Sequence, residues 1–342
     1  MRLKILNMKN NNKKVFIIAE AGVNHNGSLL IAKKLIKVAS KIGADAIKFQ
    51  TFITEEEITK KAPLAKYQKS NSKYSNQFDL VKKLELSQAD HKNLKIFCKK
   101  NNIEYMSSAF DIKSLRFLKS INLKRFKIPS GEINNYPYLR EIGSYGKEII
   151  LSTGMSKMTE IDQAIKLIKK SGTKISKIKI LHCHTDYPTK PKDVNLLAIK
   201  SLKKEYGNKI GFSDHTMGIE ISIAAVALGS VIIEKHLTLD KRMKGPDHSS
   251  SIEPKEFELM VKSIRSLEKA MGNGKKLPTK NELKNLKIVR KSIVAKDNIK
   301  KGEVFSEKNI TTKRPALGIN PMNWKKTLGK KAKKNYYKDD FI

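Results

Sequence analysis

Cysteine, tryptophan, arginine and acidic side chains are all scarce in this chain, and each scarcity excludes a class of protein. The 342 residues hold two cysteines and one tryptophan. Cys98 falls in a helix-like run and Cys183 in an apolar, strand-like one. Two cysteines so placed give no disulfide framework and read as reduced core thiols, the usage expected of a cytoplasmic protein. No run of about 18 apolar residues occurs, so no membrane-spanning helix is expected. Residues 1–14 are basic and Asn-rich, but they lead into a short strand-like stretch rather than the apolar core of a secretion signal.

Lysine and arginine number 70 against 33 acidic residues, a formal charge of +37. A polyanion-binding protein is one reading of such a charge. The near absence of arginine argues against it. Arginine is confined to eight positions from Arg2 to Arg314, whereas nucleic-acid readers lean on its planar fork for bidentate and stacking contacts. The lysines are spread over every helix-like segment, mixed with Asn and Ile and without interleaved aromatics. That is the pattern of a solvated surface, and it implies no nucleic-acid partner. The field would still favour anionic substrates.

What the chain has in plenty is alternation. Strand-like runs at 15–22, 46–52, 104–110, 125–131, 148–154, 177–184, 209–215 and 230–237 are separated by amphipathic segments. Leu29, Ala32, Leu35, Ile36 and Ala39 show the three- and four-residue spacing of one helix; Ile161, Ala164, Ile165 and Ile168 show it in another. Nearly continuous apolar strands, each followed by such a helix, demand a parallel sheet covered on its outer face. Repetition on this scale predicts an α/β fold, a closed (β/α)8 TIM barrel, with a doubly wound open sheet as the alternative. The barrel is assigned to 1–271, a Gly/Pro/Lys linker to 272–284, and a small domain of short strands and turns to 285–342. The stretch 60–80 has no strong period and reads as a long loop or lid after the second strand.

Chemistry gathers where the apolar runs end. His215 closes Gly211-Phe212-Ser213-Asp214-His215, and His236 closes Ile232-Ile233-Glu234-Lys235-His236. In a parallel barrel both imidazoles emerge at the C-terminal mouth, where they could share a divalent ion. Glu20 or water would complete its shell, and mixed nitrogen and oxygen donors beside a phosphate point to Mn²⁺ or Mg²⁺. Glu20, at the first strand tip, is either a proton-handling group near that ion or the partner of a lysine on strand two or four. His25 and Asn26 shape the turn that follows. Lys48 and Lys127 lie inside apolar strands, so each needs an anion. That anion is an internal carboxylate or a substrate phosphate. Hydroxyls at Ser108, Ser130, Ser152 and Ser213 on neighbouring tips suggest an anion cradle. Asp247, in a Gly/Pro loop after strand eight, either reaches substrate or caps its own turn. His182 reads as a core histidine, while His184 could approach the mouth. Arg314 is a scarce fork donor in a domain otherwise poor in polar chemistry, suggesting that it is lent to a site elsewhere.

Taken together, Ala19-Glu20-Ala21-Gly22-Val23-Asn24-His25-Asn26-Gly27, Lys48-Phe49-Gln50-Thr51-Phe52, Lys127-Ile128-Pro129-Ser130-Gly131-Glu132, Gly211-Phe212-Ser213-Asp214-His215 and Gly245-Pro246-Asp247-His248 resemble the bacterial sialic acid synthases. Residues 299–315 resemble that family's antifreeze-like (SAF, β-clip-like) C-terminal domain. The resemblance implies a metal-dependent condensation of phosphoenolpyruvate with N-acetylmannosamine and water, giving N-acetylneuraminate and phosphate. It implies that His215 and His236 hold Mn²⁺, and that Glu20 moves protons or orients water. Lys48, Ser108, Lys127, Ser130, Ser152 and Ser213 would grip phosphoenolpyruvate, and Tyr187, Asp247 and Arg314 would contact the sugar. It also implies a domain-swapped homodimer in which Arg314 serves the second subunit.

Within that resemblance, the acceptor could instead be a diacetamido sugar, making the product N,N'-diacetyllegionaminate or pseudaminate. An aldolase using Lys127 as a Schiff-base nucleophile is a rival that needs no metal. A polyanion-binding protein is a rival that needs neither histidine.

Overall fold

The computed structural model describes residues 14–63 and 76–342. The rest of the basic start and the middle of the 60–80 stretch lie outside the described residues. The chain divides into two compact units, one ending at Asn273 and the other running from Gly274 to Ile342.

The first unit is a closed parallel barrel. Its strands are β1 (Phe16–Gly22), β2 (Ala46–Thr51), β3 (Glu104–Ala109), β4 (Arg125–Ile128), β5 (Glu148–Ser152), β6 (Ile178–Cys183), β7 (Ile210–Asp214) and β8 (Ile232–His236), hydrogen-bonded in sequence order. β1 pairs with β8 from Phe16↔Ile232 to Glu20↔His236, which closes the ring and removes the open-sheet alternative. The intervening helices are positioned by the periodicity that predicted them. Helix α1 (Leu29–Lys41) is capped by the Ser28 hydroxyl, which accepts from the Ile31 amide, and it buries Ala32, Leu35, Ile36 and Ala39 against the barrel.

Strand alternation sorts the side chains into two environments. Ile17, Ala19, Ile47, Phe49, Ile149, Leu151, Phe212 and Ile233 face the helices and join the large core there. Ile18, Ala46, Met106, Ile150, Leu181 and Ile232 form a second, separate cluster that fills the barrel's interior. Two residues further along those strands, on the same inward face and nearer the C-terminal ends, come Glu20, Lys48, Ser108, Ser152, Cys183 and Glu234. The apolar floor thus gives way to a polar layer in a single step of the pleat.

Three local differences from the sequence expectation have physical reasons. β4 ends at Ile128 because Pro129 lacks the amide needed to continue the ladder, and Ser130–Glu132 make one 3₁₀ turn instead. The chain after β2 carries two helical pieces, the second overlapping the end of the expected 60–80 loop. One is α2 (Thr54–Glu57); the other, Gln77–Lys82, starts where the Asn76 side chain accepts from the Asp79 amide. The expected linker 272–284 includes the start of a helix, Lys280–Val289, whose Thr279–Glu282 capping box carries it across the expected boundary at 285.

The second unit pairs β9 (Ser292–Ala295) with β10 (Ile310–Lys313) antiparallel. Its small core holds Ile293, Ala295, Ile299, Phe305, Ile310 and Ala332. Among the described residues, no helix is long and apolar enough to cross a membrane.

Candidate active site

Four buried charges meet in the polar layer. Glu20 of β1 and Lys48 of β2 are in register, with Glu20 Oε2 2.7 Å from Lys48 Nζ. Glu234 of β8 stands between the two lysines. Its Oε2 lies 3.7 Å from Lys48 Nζ and its Oε1 3.4 Å from Lys127 Nζ. All four side chains are at most 5 % exposed. The internal-carboxylate partners expected for the lysines are therefore present. Glu20 does pair with a lysine of strand two, as its plainer reading required.

Burial treats the four groups unequally. It acts first to raise Glu20, with Glu234 nearby adding to the rise, and Lys48 only partly offsets this. Burial also works to raise Glu234, but Lys127, Lys48 and the Ser213 hydroxyl together outweigh it and hold this carboxyl low. Burial lowers Lys127 below the ordinary lysine range. For Lys48 the burial penalty is overcome by Glu20 and Glu234, and its pKa rises. The arrangement separates one carboxylate that stays charged from a second poised to hold or release a proton near neutrality.

Hydroxyls surround this cluster. Ser108 accepts from Lys48 Nζ at 3.2 Å, and Ser213 donates to Glu234 Oε1 at 2.8 Å. Ser152 Oγ is buried without a hydrogen-bond partner among the described residues. Ser130 accepts from the Gly154 amide at 2.9 Å and lies 3.2 Å from Cys183 Sγ. These groups converge from β3, the turn after β4, β5 and β7, so a small anion in the mouth would meet donors from several sides.

The two histidines stand beside them. Their ring centroids are 5.4 Å apart. Tyr187 stacks on His215 at 4.1 Å and meets His236 edge-on at 5.4 Å. His215 Nδ1 donates to the backbone carbonyl of His184. Its Nε2 therefore carries the lone pair, facing the Tyr187 hydroxyl at 3.2 Å. Burial lowers His215 to about 4. Burial, then His215 itself, lowers His236 well below the ordinary imidazole range. Both rings are neutral near pH 7, the form that ligates metal.

The fit to a divalent ion rests on this donor set. His236 Nδ1 is buried without a partner among the described residues. A Cβ placed on Gly22 would come within 3.4 Å of both His236 Cε1 and Asp247 Oδ2, and within 3.5 Å of Glu20 Oε1. The His236 imidazole and two carboxyls thus border one small space, with the His215 ring 5.4 Å from that of His236. Among the described residues no cluster of three or more His, Cys, Asp or Glu has metal-holding geometry. Two imidazoles alone leave positions for water and substrate oxygens, which suits a catalytic ion better than a structural one.

The barrel therefore brings together Glu20, Lys48, Ser108, Lys127, Ser130, Ser152, Ser213, Tyr187, His215, His236 and Asp247 around its C-terminal mouth. His182 points elsewhere and bonds the Val194 carbonyl at 2.7 Å, as a core histidine should. His25 is buried and its Nδ1 accepts from the Gly27 amide. Arg314 belongs to the second unit, where it stands exposed just past β10. Sequence reading passed over Glu234, although its place between Ile232 and His236 on an alternating strand already put it on the inward face. It also passed over Glu57, which is half-buried near Asp111 and Glu132 with its Oε2 enclosed.

A model of the NeuB family matches residues 35–276, and a model of the SAF domain matches residues 290–342. The chain is 53 % identical over 331 residues to an N,N'-diacetyllegionaminic acid synthase of Campylobacter jejuni, covering 96 % of this chain and 99 % of that one. It is 43 % identical to a protein of the same name from Legionella pneumophila, over 94 % of this chain and 91 % of that one. Among solved structures it resembles an N-acetylneuraminic acid synthetase of Leptospira borgpetersenii in complex with citrate. That likeness has a TM-score of 0.72 at 37 % identity, over 80 % of this chain and 90 % of that one.

Proposed function

The chain belongs to the NeuB family, and from that premise we propose that it condenses phosphoenolpyruvate with a diacetamido sugar and water to give an N,N'-diacetyllegionaminate-type acid and phosphate. The resemblance read from sequence put N-acetylmannosamine first as acceptor. Relatives at 53 % and 43 % identity that bear the legionaminic name favour the diacetamido sugar instead.

The observation that carries the reading is the pairing of Lys48 and Lys127 with Glu20 and Glu234, beside two neutral imidazoles. In this proposal the two ammonium groups and the surrounding serines hold the phosphate and carboxylate of phosphoenolpyruvate. Its methylene carbon attacks the sugar aldehyde, forming the new carbon–carbon bond. Water adds to the resulting oxocarbenium carbon, and the carbon–oxygen bond to phosphate then breaks. Glu20, raised by burial, takes the proton from that water or orients it. Tyr187 and Asp247 contact the sugar. His215 and His236 would hold Mn²⁺ or Mg²⁺, whose chemistry here is Lewis-acid polarisation of the aldehyde. The proposal further assigns Arg314 to the barrel of a second copy in a domain-swapped dimer.

The test is phosphate release by metal-stripped protein given phosphoenolpyruvate and one acceptor, before and after Mn²⁺. Release with a diacetamidohexose, dependent on Mn²⁺, is the expected result. Release with N-acetylmannosamine and not with the diacetamido sugar would move the assignment to N-acetylneuraminate synthesis. No release with either would sink the proposal.

A further inference from the structure

A recess is lined in part by Pro246 and Asp247, from the loop after β8. Its volume is about 170 Å³. One wall is apolar, where Val23, Phe52, Leu80 and Leu84 pack into a cluster of their own, backed by Val81 and Phe110. The lining also includes the polar side chains of Gln50, Glu57, Gln77 and Asp247.

One carboxyl in this lining lacks the partner that burial demands. Glu57, the last residue of α2, has Oε2 buried and without a partner among the described residues. A buried polar atom left unsatisfied is destabilising by about 1–3 kcal/mol, so Glu57 Oε2 at this cavity points to a ligand that completes it. Asp247, in the same lining, is 8 % exposed. Asp247 also borders the space around Gly22 that His236 and Glu20 share. The recess therefore shares Asp247 with the reacting end of the site.

We infer that this recess is the subsite for the second acetamido group of the acceptor, with Glu57 hydrogen-bonding the amide and Val23, Phe52 and Leu80 receiving its methyl. The inference rests on the diacetamido reading above and names the part of the chain that enforces it. An acetamido group has one polar and one apolar end, and the recess presents one of each. Glu57 is pushed up to about 8, by burial first and then by Asp111 and Glu132, so near neutrality it is a carboxylic acid able to donate to an amide carbonyl. A hydroxyl in the same place would leave the apolar wall facing water or a polar group. A site whose buried polar group is left unpaired discriminates against the shorter ligand.

The experiment compares full-length wild type, Glu57→Ala and Glu57→Gln in Mn²⁺-dependent phosphate release. KM and kcat are measured for a diacetamidohexose, together with KM for phosphoenolpyruvate. Loss of one such hydrogen bond should raise the acceptor KM about tenfold in Glu57→Ala. The KM for phosphoenolpyruvate should stay within about twofold, and Glu57→Gln, which keeps a donor, should recover most of the difference. An unchanged acceptor KM in Glu57→Ala overturns the inference while leaving the proposed function standing. So does an equal rise in both KM values. A wild type that turns over N-acetylmannosamine but not the diacetamidohexose overturns the proposed function first, and the assignment of the recess with it.

Discussion

Asp214 and Lys235 form a buried ion pair, 2.9 Å from Oδ2 to Nζ, one residue ahead of each mouth histidine. The two residues are also in register across β7 and β8. Asp214 accepts from the Thr216 amide at 2.9 Å, the Thr216 hydroxyl at 2.7 Å and the Ser222 hydroxyl at 2.6 Å. Lys235 donates to the Thr216 carbonyl at 2.7 Å. Every group in this network is satisfied, which is the condition under which a buried pair is tolerated. Because strand side chains alternate, the pair lies behind the site while the imidazoles face it. The network thereby fixes the offset between the two strand tips and hence the spacing of His215 and His236.

Lys235→Met should therefore act twice. Leaving Asp214 buried without its cation should destabilise the barrel by about 3–5 kcal/mol, read as a lower urea midpoint. In the folded fraction, Mn²⁺ should bind more weakly, because the spacing of the two imidazoles is no longer held. A midpoint close to wild type would show that the pair contributes little and that something else sets the geometry.

Lys127 distinguishes the condensation from an imine mechanism. Lys127→Met removes a cation 3.4 Å from Glu234 Oε1 and should lower kcat/KM for phosphoenolpyruvate by about 10- to 100-fold, on the scale of one charge-assisted hydrogen bond. Borohydride with pyruvate should trap no adduct on the wild type. A trapped adduct at Lys127 would favour the Schiff-base aldolase.

The histidine tips, the strand lysines and the serines were legible because a polar residue at the end of an apolar run is costly to bury unless it faces a site or a partner. Glu234 was not, since Glu234-Lys235 beside His236 reads as an ordinary charged pair until strand alternation sends one inward and the other behind the barrel. Glu57 was hidden differently. It closes the acidic run Glu55-Glu56-Glu57, and nothing in local sequence separates the buried carboxyl from its exposed neighbours. The helix Lys280–Val289 was obscured by the Gly/Pro/Lys composition just before it, although Thr279 and Glu282 carry a capping signature. The acceptor stayed open because distinguishing one sugar substituent depends on a recess assembled from separate loops.

Acid should weaken the fold through two buried imidazoles other than the His215–His236 pair. Burial, reinforced by His91 and His248, lowers His25 to about 3; burial lowers His91 to about 4. In the unfolded chain both titrate near 6.5. As pH falls below 6.5, the unfolded state takes up protons that the folded state refuses, so their contribution is intact above that pH and shrinks down to about 4. At about 1.4 kcal/mol per pH unit for each group, His91 alone accounts for roughly 3 kcal/mol over that span. Glu57 and Asp247, raised by burial to about 8 and about 6, act in the opposite direction. The measurement is therefore a difference: His91→Phe should show a shallower loss of urea stability between pH 6.5 and 4 than wild type. Parallel curves would mean that His91 titrates normally in the fold.

Gly22 tests whether the space between Glu20, His236 and Asp247 is used. Its φ is +49°, a conformation in which a Cβ is destabilising by about 1–2 kcal/mol. A Cβ there would also enter the space bounded by the three site side chains, at 3.4–3.5 Å from each. Gly43 provides the matched control, with φ +83° and only Val261 Cγ1 near its Cβ position, at 3.5 Å. If the space receives an ion or substrate, Gly22→Ala and Gly43→Ala should lower stability by similar amounts. Only Gly22→Ala should then weaken Mn²⁺ binding and slow phosphate release, because its methyl lies where a ligand must sit. Equal activity in the two variants would show that the space is incidental to turnover. The grouping of Asp247 with the imidazoles would then have to be explained as packing.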